Sequence, residues 1–372
     1  MRNPFKLDIP ANRVFGLDLL RALAILFVVA GHGQQFTPFP FSFVSHYLLP
    51  DGVGIFFVLS GFLIGTILLK MLQKDSPGSK DIRLFWKRRW MRTLPNYYLV
   101  LVSLCIIHFL FDPDFYFANS WRHFFFLQNI VTDQQSNFFI ESWSLSVEEW
   151  FYLTTPLLLF LLCRGLPLQK RKAVLFYCIA VITFLTLFRY YRFSTLPIDT
   201  KDAWDFYLNK SVLTRFDSIA FGLLGAYISF YHKAFWQKSR RVCLGAGIAL
   251  FVLIKILTVY ISPTSLYHGV FATNVTALAT LLLLPFLSNY RLQNGLFYHT
   301  VTRISLISYS MYLLHLSLIR EWVVKQINWD FTGVNGWIIP YSFYWLLTIL
   351  LSVVLYKYFE LPVLKLRDKQ KH

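Results

Sequence analysis

Apolar stretches of about 20 residues recur along the whole of this 372-residue chain, and that recurrence limits its fold more than any other feature. At about 1.5 Å per residue a helix of that length crosses the roughly 30 Å of hydrocarbon in a bilayer, where a backbone must satisfy its own hydrogen bonds. The composition agrees: 56% of residues are hydrophobic and 15% charged, with a mean hydropathy of +0.50, greasier than soluble domains are. The sequence is that of an all-α polytopic membrane protein.

Ten spans are expected, near residues 15–35, 52–72, 94–111, 143–163, 174–191, 214–231, 243–261, 269–287, 304–321 and 337–358. With both the N- and C-termini in the cytoplasm, the inner segments hold about 24 Lys and Arg, among them the clusters Lys74 to Arg92 and Lys233 to Arg241. The outer segments hold about 5: Arg122, Arg192, Lys201, Lys210 and Lys325. This is the positive-inside pattern. It absorbs most of a net charge of +17 that would otherwise point to nucleic acid, so membrane lipid is an expected partner and nucleic acid is not.

The first span runs on through His32 without a small-residue cleavage site, so it reads as a retained helix rather than a signal peptide. Cys105, Cys163, Cys178 and Cys243 show no CxxC or His-Cys spacing, and neither a disulfide nor a metal site is expected. Between the third and fourth spans, residues 112–142 contain "WRHFFFLQNI", which reads as an interfacial or re-entrant helix on the outer side. "QKDSPGSKDIR", Gln73 to Arg83, reads as a flexible linker. Nothing repeats with a period of 20 to 50 residues, and the two halves are not alike, so residues 1–372 form a single unit rather than a solenoid or an inverted-repeat transporter.

An ionisable side chain at the middle of a span costs about 2.5 to 3.5 kcal/mol, so each needs a partner or a task. The first span, "LDLLRALAILFVVAGHGQQ", carries Asp18, Arg21 and His32. Arg21 and His32 are eleven residues apart, close to three turns, which sets them on one face roughly 16 Å apart along the axis, with Asp18 one turn before Arg21. A snorkelling arginine and a capping histidine are the bland alternatives for either alone. A neutral imidazole at His32 takes a proton from a hydroxyl, provided a further group fixes its tautomer. The fourth span offers carboxylates in "ESWSLSVEEWFYL", where Glu148 and Glu149 point about 100° apart, so that one at most faces the same cavity. In "GVGIFFVLSGFLIG", Gly61 and Gly65 permit close helix approach and Ser60 supplies a polar atom for a pocket wall. Arg89 and Arg92, one helical turn apart in "KRRWMRTLP", form a pair able to grip a phosphate, or else a topological anchor. Arg215 and Asp217 open the sixth span, and Tyr309, Tyr312 and His315 share a face of the ninth; each set is open to a structural or a functional reading.

Together "FFVLSGFL", "RRWMRTLP", "SWSLSVEEWFY", "RFDSIAFG", "SYSMYLLH" and the spaced arginine and histidine of the first span resemble the acyltransferase 3 family of integral membrane acyltransferases, over nearly the whole chain. The resemblance implies transfer of an acyl group, commonly acetyl, from cytoplasmic acetyl-CoA or another acyl-CoA to a hydroxyl of a cell-surface glycan, such as lipopolysaccharide O-antigen or an exopolysaccharide, at the bacterial inner membrane. In that setting Arg21 and His32 match the essential first-span pair, Arg89 and Arg92 the arginine pair associated with the donor, and Glu148 the glutamate that would steady His32. Ser60, Arg215 and His315 match motif positions whose roles are less settled, and with Trp143, Ser144, Asp217 and Tyr309 they are expected to line the substrate site. Some members carry a C-terminal SGNH hydrolase-like domain. This chain stops about nine residues after "YFELPV", so direct transfer to a glycan or lipid-linked glycan, or reliance on a separate extracytoplasmic transferase, is expected. The rivals are a succinyl or longer-chain transferase, a transferase acting on a small metabolite, and a proton-coupled transporter using the same intramembrane charges.

Overall fold

The computed structural model describes residues 9–10, 13–38, 48–74, 78–131, 138–165, 169–262, 264–329 and 335–369. Ten long helices stand where the hydropathy places spans: α1 (Phe15–Gly33), α2 (Gly52–Leu72), α3 (Ser79–Phe111), then, after the short α4 (Phe117–Phe124), α5 (Ser142–Gly165), α6 (Lys170–Thr195), α7 (Val212–Tyr231), α8 (Arg240–Tyr260), α9 (Ala272–Leu287), α10 (Leu296–Leu314) and α11 (Asn335–Leu355). Wider π-helical turns enter at Asp205–Asn209, Tyr267–Phe271, His315–Val324 and Tyr356–Glu360, the last leading into α12 (Leu361–Lys369).

Alternate connections meet at opposite ends of the bundle, as an up-and-down path requires. At one end Gly16 N–H donates to Tyr290 O at 3.2 Å, Lys170 Nζ reaches Lys74 O at 3.0 Å, and Arg171 lies 2.8 Å from His232. Trp236 Nε1 donates to Ser288 Oγ at 3.1 Å and joins these two groups, so the segments around Gly16, Lys74, Lys170, His232 and Tyr290 share one end, called the basic end below. At the opposite end Asn129 Nδ2 donates to Lys210 O at 2.6 Å and Trp204 Nε1 to His268 O at 3.1 Å.

Among the described residues, eight helices are long and apolar enough to cross a membrane. The two that fall short, α7 and α10, carry Arg215, Asp217 and Ser218 in one case and Arg303, Ser305, Ser308 and Ser310 in the other. Those polar groups are mostly buried against neighbouring helices, which is where polar side chains in a membrane bundle find partners. By contrast α8 has a mean hydropathy of 2.5 with 11% of its span buried, so its apolar surface is left for lipid.

Two expectations are corrected. The third helix begins at Ser79 and not near residue 94: "KDIRLFWKRRWMR" continues the helix toward the basic end, with Lys80, Arg83, Lys87 and Arg88 exposed and Arg89 and Arg92 turned to the cavities described below; the supposed linker is therefore half helical, its residues 75–77 lying outside the described ones. The outer-side helix is only eight residues, Phe117–Phe124, and is tied to α3 by Tyr97 and Tyr98, whose hydroxyls donate to His123 O at 2.7 Å and Phe124 O at 2.8 Å. Residues 132–137 of that segment lie outside the described ones.

Two apolar clusters make the core. One gathers α2, α5, α7 and α9 around Val58, Phe62, Phe151, Leu223 and Leu284; the other gathers α3, α10 and α11 around Tyr97, Leu101, Met311 and Tyr344. The first depends on the glycines of α2: a Cβ on Gly61 would stand 2.0 Å from Ile219 O, and one on Gly222 of α7 would stand 2.1 Å from Val58 O. Such backbone contact is available only to glycine. Val53 and Phe56 touch both clusters, and the site opens between them.

Candidate active site

The seam between the clusters holds two connected cavities. The inner one spans about 890 Å³, counting space open to solvent, and is lined by Arg21 of α1, Ser60 of α2, Arg89, Arg92 and Thr93 of α3, Ser144, Glu148 and Tyr152 of α5, and Ser308, Tyr309 and Tyr312 of α10, with an apolar wall from Val53 to Ile64. The second, of about 1200 Å³, lies toward the basic end and is bordered by Val14, Thr66, Lys233, Gln237 and Asn289. Both are lined by Arg21, Leu63, Arg89 and Arg92, so three arginines form the neck between them. None of the three has an ion-pair partner among the described residues.

That lack of partners is built by the fold. Asp18, expected to share a face with Arg21, is instead clasped by Arg13, whose Nε lies 2.8 Å from Oδ2, while Ser305 donates to Oδ1 at 2.8 Å. Glu149, buried to 7% exposure, accepts from Thr93 Oγ1 at 2.6 Å on the flank of α3, whereas Glu148 turns into the inner cavity. The 100° between adjacent helical positions thus separates a structural carboxylate from a cavity one. Glu148 shares its wall with Tyr152, one turn on, and Tyr152 OH lies 2.7 Å from Ser60 Oγ. Tyr309 OH donates to Thr93 O at 2.7 Å, and Tyr312 OH lies 2.5 Å from Ser144 Oγ.

His32 is not joined to Glu148. Its Nδ1 lies 2.7 Å from Nε2 of His315, a residue 283 positions away, and the two rings stack with centroids 5.0 Å apart. His315 is fully buried at the first position of the π-helical stretch His315–Val324, where its Nδ1 faces Tyr312 O at 2.8 Å and Met311 O at 3.1 Å. A carbonyl only accepts, so this Nδ1 carries a proton; with both rings uncharged, His315 Nε2 accepts and His32 Nδ1 donates. The lone pair of His32 is then on Nε2, the atom that remains for a substrate. Arg320 Nη1 donates to His32 O at 3.1 Å and, through Nε, to Glu321 at 2.6 Å. Tyr312 stands between this pair and the inner cavity: it lines the cavity, and its ring centroid is 5.7 Å from that of His315.

Behind Tyr312 lies Glu141, just ahead of α5, which accepts from Ser317 Oγ at 2.5 Å and from Ser317 N at 3.2 Å. Burial pushes its carboxyl up to about 7, against the opposing pull of those hydrogen bonds.

Of the residues expected at the site, Arg21, Ser60, Arg89, Arg92, Ser144, Glu148 and Tyr309 line the inner cavity. His32 and His315 form a pair beyond Tyr312. Trp143, Arg215 and Asp217 line neither cavity: Trp143 packs on Phe57 at 6.0 Å, Arg215 Nη2 donates to Asp51 Oδ2 at 3.0 Å, and Asp217 pairs with Arg189 at 2.8 Å. Asp51 also caps α2 by accepting from Gly54 N at 2.9 Å, so Arg215 fastens a helix start and Asp217 the inside of α6. Tyr152 and Thr93 had not been singled out; the four-residue spacing from Glu148 to Tyr152 was the available signal.

The fold and site define a polytopic integral membrane protein with a cationic neck leading to a cavity with one polar and one apolar wall. The chain belongs to the acyltransferase 3 family, whose model, described as an acyltransferase domain, matches residues 14–357. It is similar to YrhL of Bacillus subtilis, a candidate peptidoglycan O-acetyltransferase, at 29% identity over 79% of this chain and 42% of that protein. It is likewise similar to the O-acetyltransferase OatA of Staphylococcus aureus, at 27% identity over 94% of this chain and 57% of that protein. A third relative, the peptidoglycan O-acetyltransferase OatA of Listeria monocytogenes, is 35% identical over 39% of this chain and 24% of that protein. The chain thus spans about half or less of the length of the curated relatives it matches. No solved structure matches it.

Proposed function

We propose that the protein is an O-acetyltransferase of the bacterial cytoplasmic membrane, which takes an acetyl group from cytoplasmic acetyl-CoA and delivers it to a hydroxyl of a cell-envelope glycan. The observation that carries this reading is the neck of three arginines, without ion-pair partners among the described residues, between two connected cavities, in a member of an acyltransferase family. Arg89 and Arg92 hold the donor's phosphates, and the thioester arm passes Arg21 into the inner cavity. The acceptor comes to His32 from the opposite end. Its hydroxyl oxygen attacks the thioester carbonyl, its proton passes to His32 Nε2, the carbon–sulfur bond breaks, protonated Glu148 gives its proton to the departing sulfur, and the proton held by His32 then restores Glu148, leaving ester, free CoA and both groups as they began. His32 takes its tautomer from His315, the role first given to Glu148. Donor and acceptor meet where the bond between Ser144 and Tyr312 opens.

Peptidoglycan is the first acceptor to try, since relatives are named for it; O-antigen and exopolysaccharide follow. The detergent-purified chain is given labelled acetyl-CoA with muropeptides or the other glycans, and label on a glycan hydroxyl is expected. Transfer by His32→Ala as fast as by the wild type, or uptake of substrate into liposomes with no thioester consumed, would overturn the reading.

A further inference from the structure

The cavity on the basic side continues outward. An open depression lined by Lys238, Arg240, Arg241 and Ala234 shares Gln237 and Asn289 with it. From the depression, past Lys233, to the neck at Arg21, Arg89 and Arg92, the walls present seven cationic side chains and no carboxylate. None of the seven has an ion-pair partner among the described residues. An anchor facing lipid headgroups needs basic residues around a perimeter; these line two concave spaces in series.

The cations form two stations, one half-buried at the neck and one exposed at the rim, where Lys238 ends the short helix Lys233–Lys238 and Arg240 and Arg241 open α8. A ligand matching both carries phosphate at two separated points. We infer that the rim of Lys238, Arg240 and Arg241 binds the ribose 3′-phosphate of a nucleotide-bearing thioester whose pyrophosphate lies at Arg89 and Arg92. This rests on the reading of the protein as acyl-CoA-dependent. It goes beyond it by separating donor classes: an acyl group carried on phosphopantetheine alone brings one phosphodiester and leaves the rim without a partner, and an anionic lipid brings its phosphate to the bilayer surface and not to the neck.

The test compares acetyl-CoA with its 3′-dephospho analogue in the wild type and in a Lys238→Gln, Arg240→Gln, Arg241→Gln variant. All three side chains are exposed, so the substitutions spare the core. The wild type is expected to prefer acetyl-CoA by about tenfold in kcat/KM, the worth of one charge-assisted phosphate contact, and the variant by a factor of about one. Equilibrium binding of adenosine 3′,5′-bisphosphate against adenosine 5′-monophosphate to the full chain reads the same preference without turnover. Transfer with no discrimination in the wild type, or discrimination retained in the variant, overturns the rim assignment and leaves the proposed function standing. Selective bisphosphate binding lost in the variant, with no acetyl transfer to any glycan, upholds the rim and sinks the proposed function. If the variant loses affinity only for phosphatidylglycerol nanodiscs, against phosphatidylcholine ones, the site belongs to lipid and the inference fails.

Discussion

The two polar regions of the bundle are built on opposite terms. At the neck, Arg21, Arg89 and Arg92 have no ion-pair partner among the described residues: Asp18 is turned to Arg13 and Glu149 to Thr93, and Glu148 shares the inner cavity without bonding any of them. At the histidine pair every link is made inside the protein: backbone to His315, His315 to His32, Arg320 to His32 O and to Glu321. These half-buried guanidinium groups are partly out of water with no ion-pair partner, which is costly, so the neck is a place kept for an anion. A closed chain of hydrogen bonds instead holds one atom, His32 Nε2, in one protonation pattern. One region binds by what it lacks and the other acts by what it has fixed.

That contrast can be broken experimentally. The largest effect is expected from His32→Ala, a loss of roughly a thousandfold in kcat with donor nucleotide affinity retained, as befits removal of a general base; a matching loss of donor binding would show that the two regions are not separate. Next comes the pH dependence at Glu141. Its carboxyl lies at about 7 in the fold against an ordinary 4.5, so the fold holds the proton more tightly, and that stability is full below about pH 4.5 and lost as pH rises through 7. A shift of that size is worth about 3 kcal/mol. Thermal unfolding in detergent should show the wild type losing stability from pH 5 to pH 8 and Glu141→Gln a much flatter profile; an unchanged slope in the variant would remove Glu141 from the account.

Arg92→Ala should lower kcat/KM for the donor by about a hundredfold, mostly through KM, because a half-buried guanidinium that grips the pyrophosphate through two charge-assisted contacts is lost. A pure kcat effect would move Arg92 from binding to chemistry. The smallest effect tests the tautomer: His315→Leu should cost about tenfold in kcat and shift the alkaline or acid limb of the pH–rate profile, whereas His315→Gln, whose amide oxygen can still accept from His32 Nδ1, should keep most of the activity. Equal losses in the two variants would reduce His315 to packing.

Much of the fold was legible because lipid imposes a length: each long helix overlaps its hydropathy window, with α3 departing where it leaves the membrane and length no longer constrains it. The neck was legible too, since Arg89 and Arg92 stand one turn apart on a helix and periodicity alone aims them together. The partners were not. Whether Glu148 or Glu149 entered the cavity depended on the rotation of α5 against α3, and the pairings His32 with His315 and Arg215 with Asp51 join residues far apart in sequence. The π-helical turn that sets His315 against two carbonyls leaves no local signature, because it is stabilised by its tertiary surroundings.

The bond between Tyr312 and Ser144 has a consequence for the membrane as an electrical insulator. Polar side chains reach into this bundle from the basic end as far as Tyr312, and resume with the histidine pair just behind it. A continuous wet path there would let ions run down a gradient worth about 2.3 kcal/mol per charge for each 100 mV. A single hydrogen-bonded pair of side chains closes that path. Under the proposed function an acetyl group crosses it one way and the acceptor's hydroxyl proton the other, an exchange that moves no net charge, so the voltage across the membrane neither drives the transfer nor opposes it.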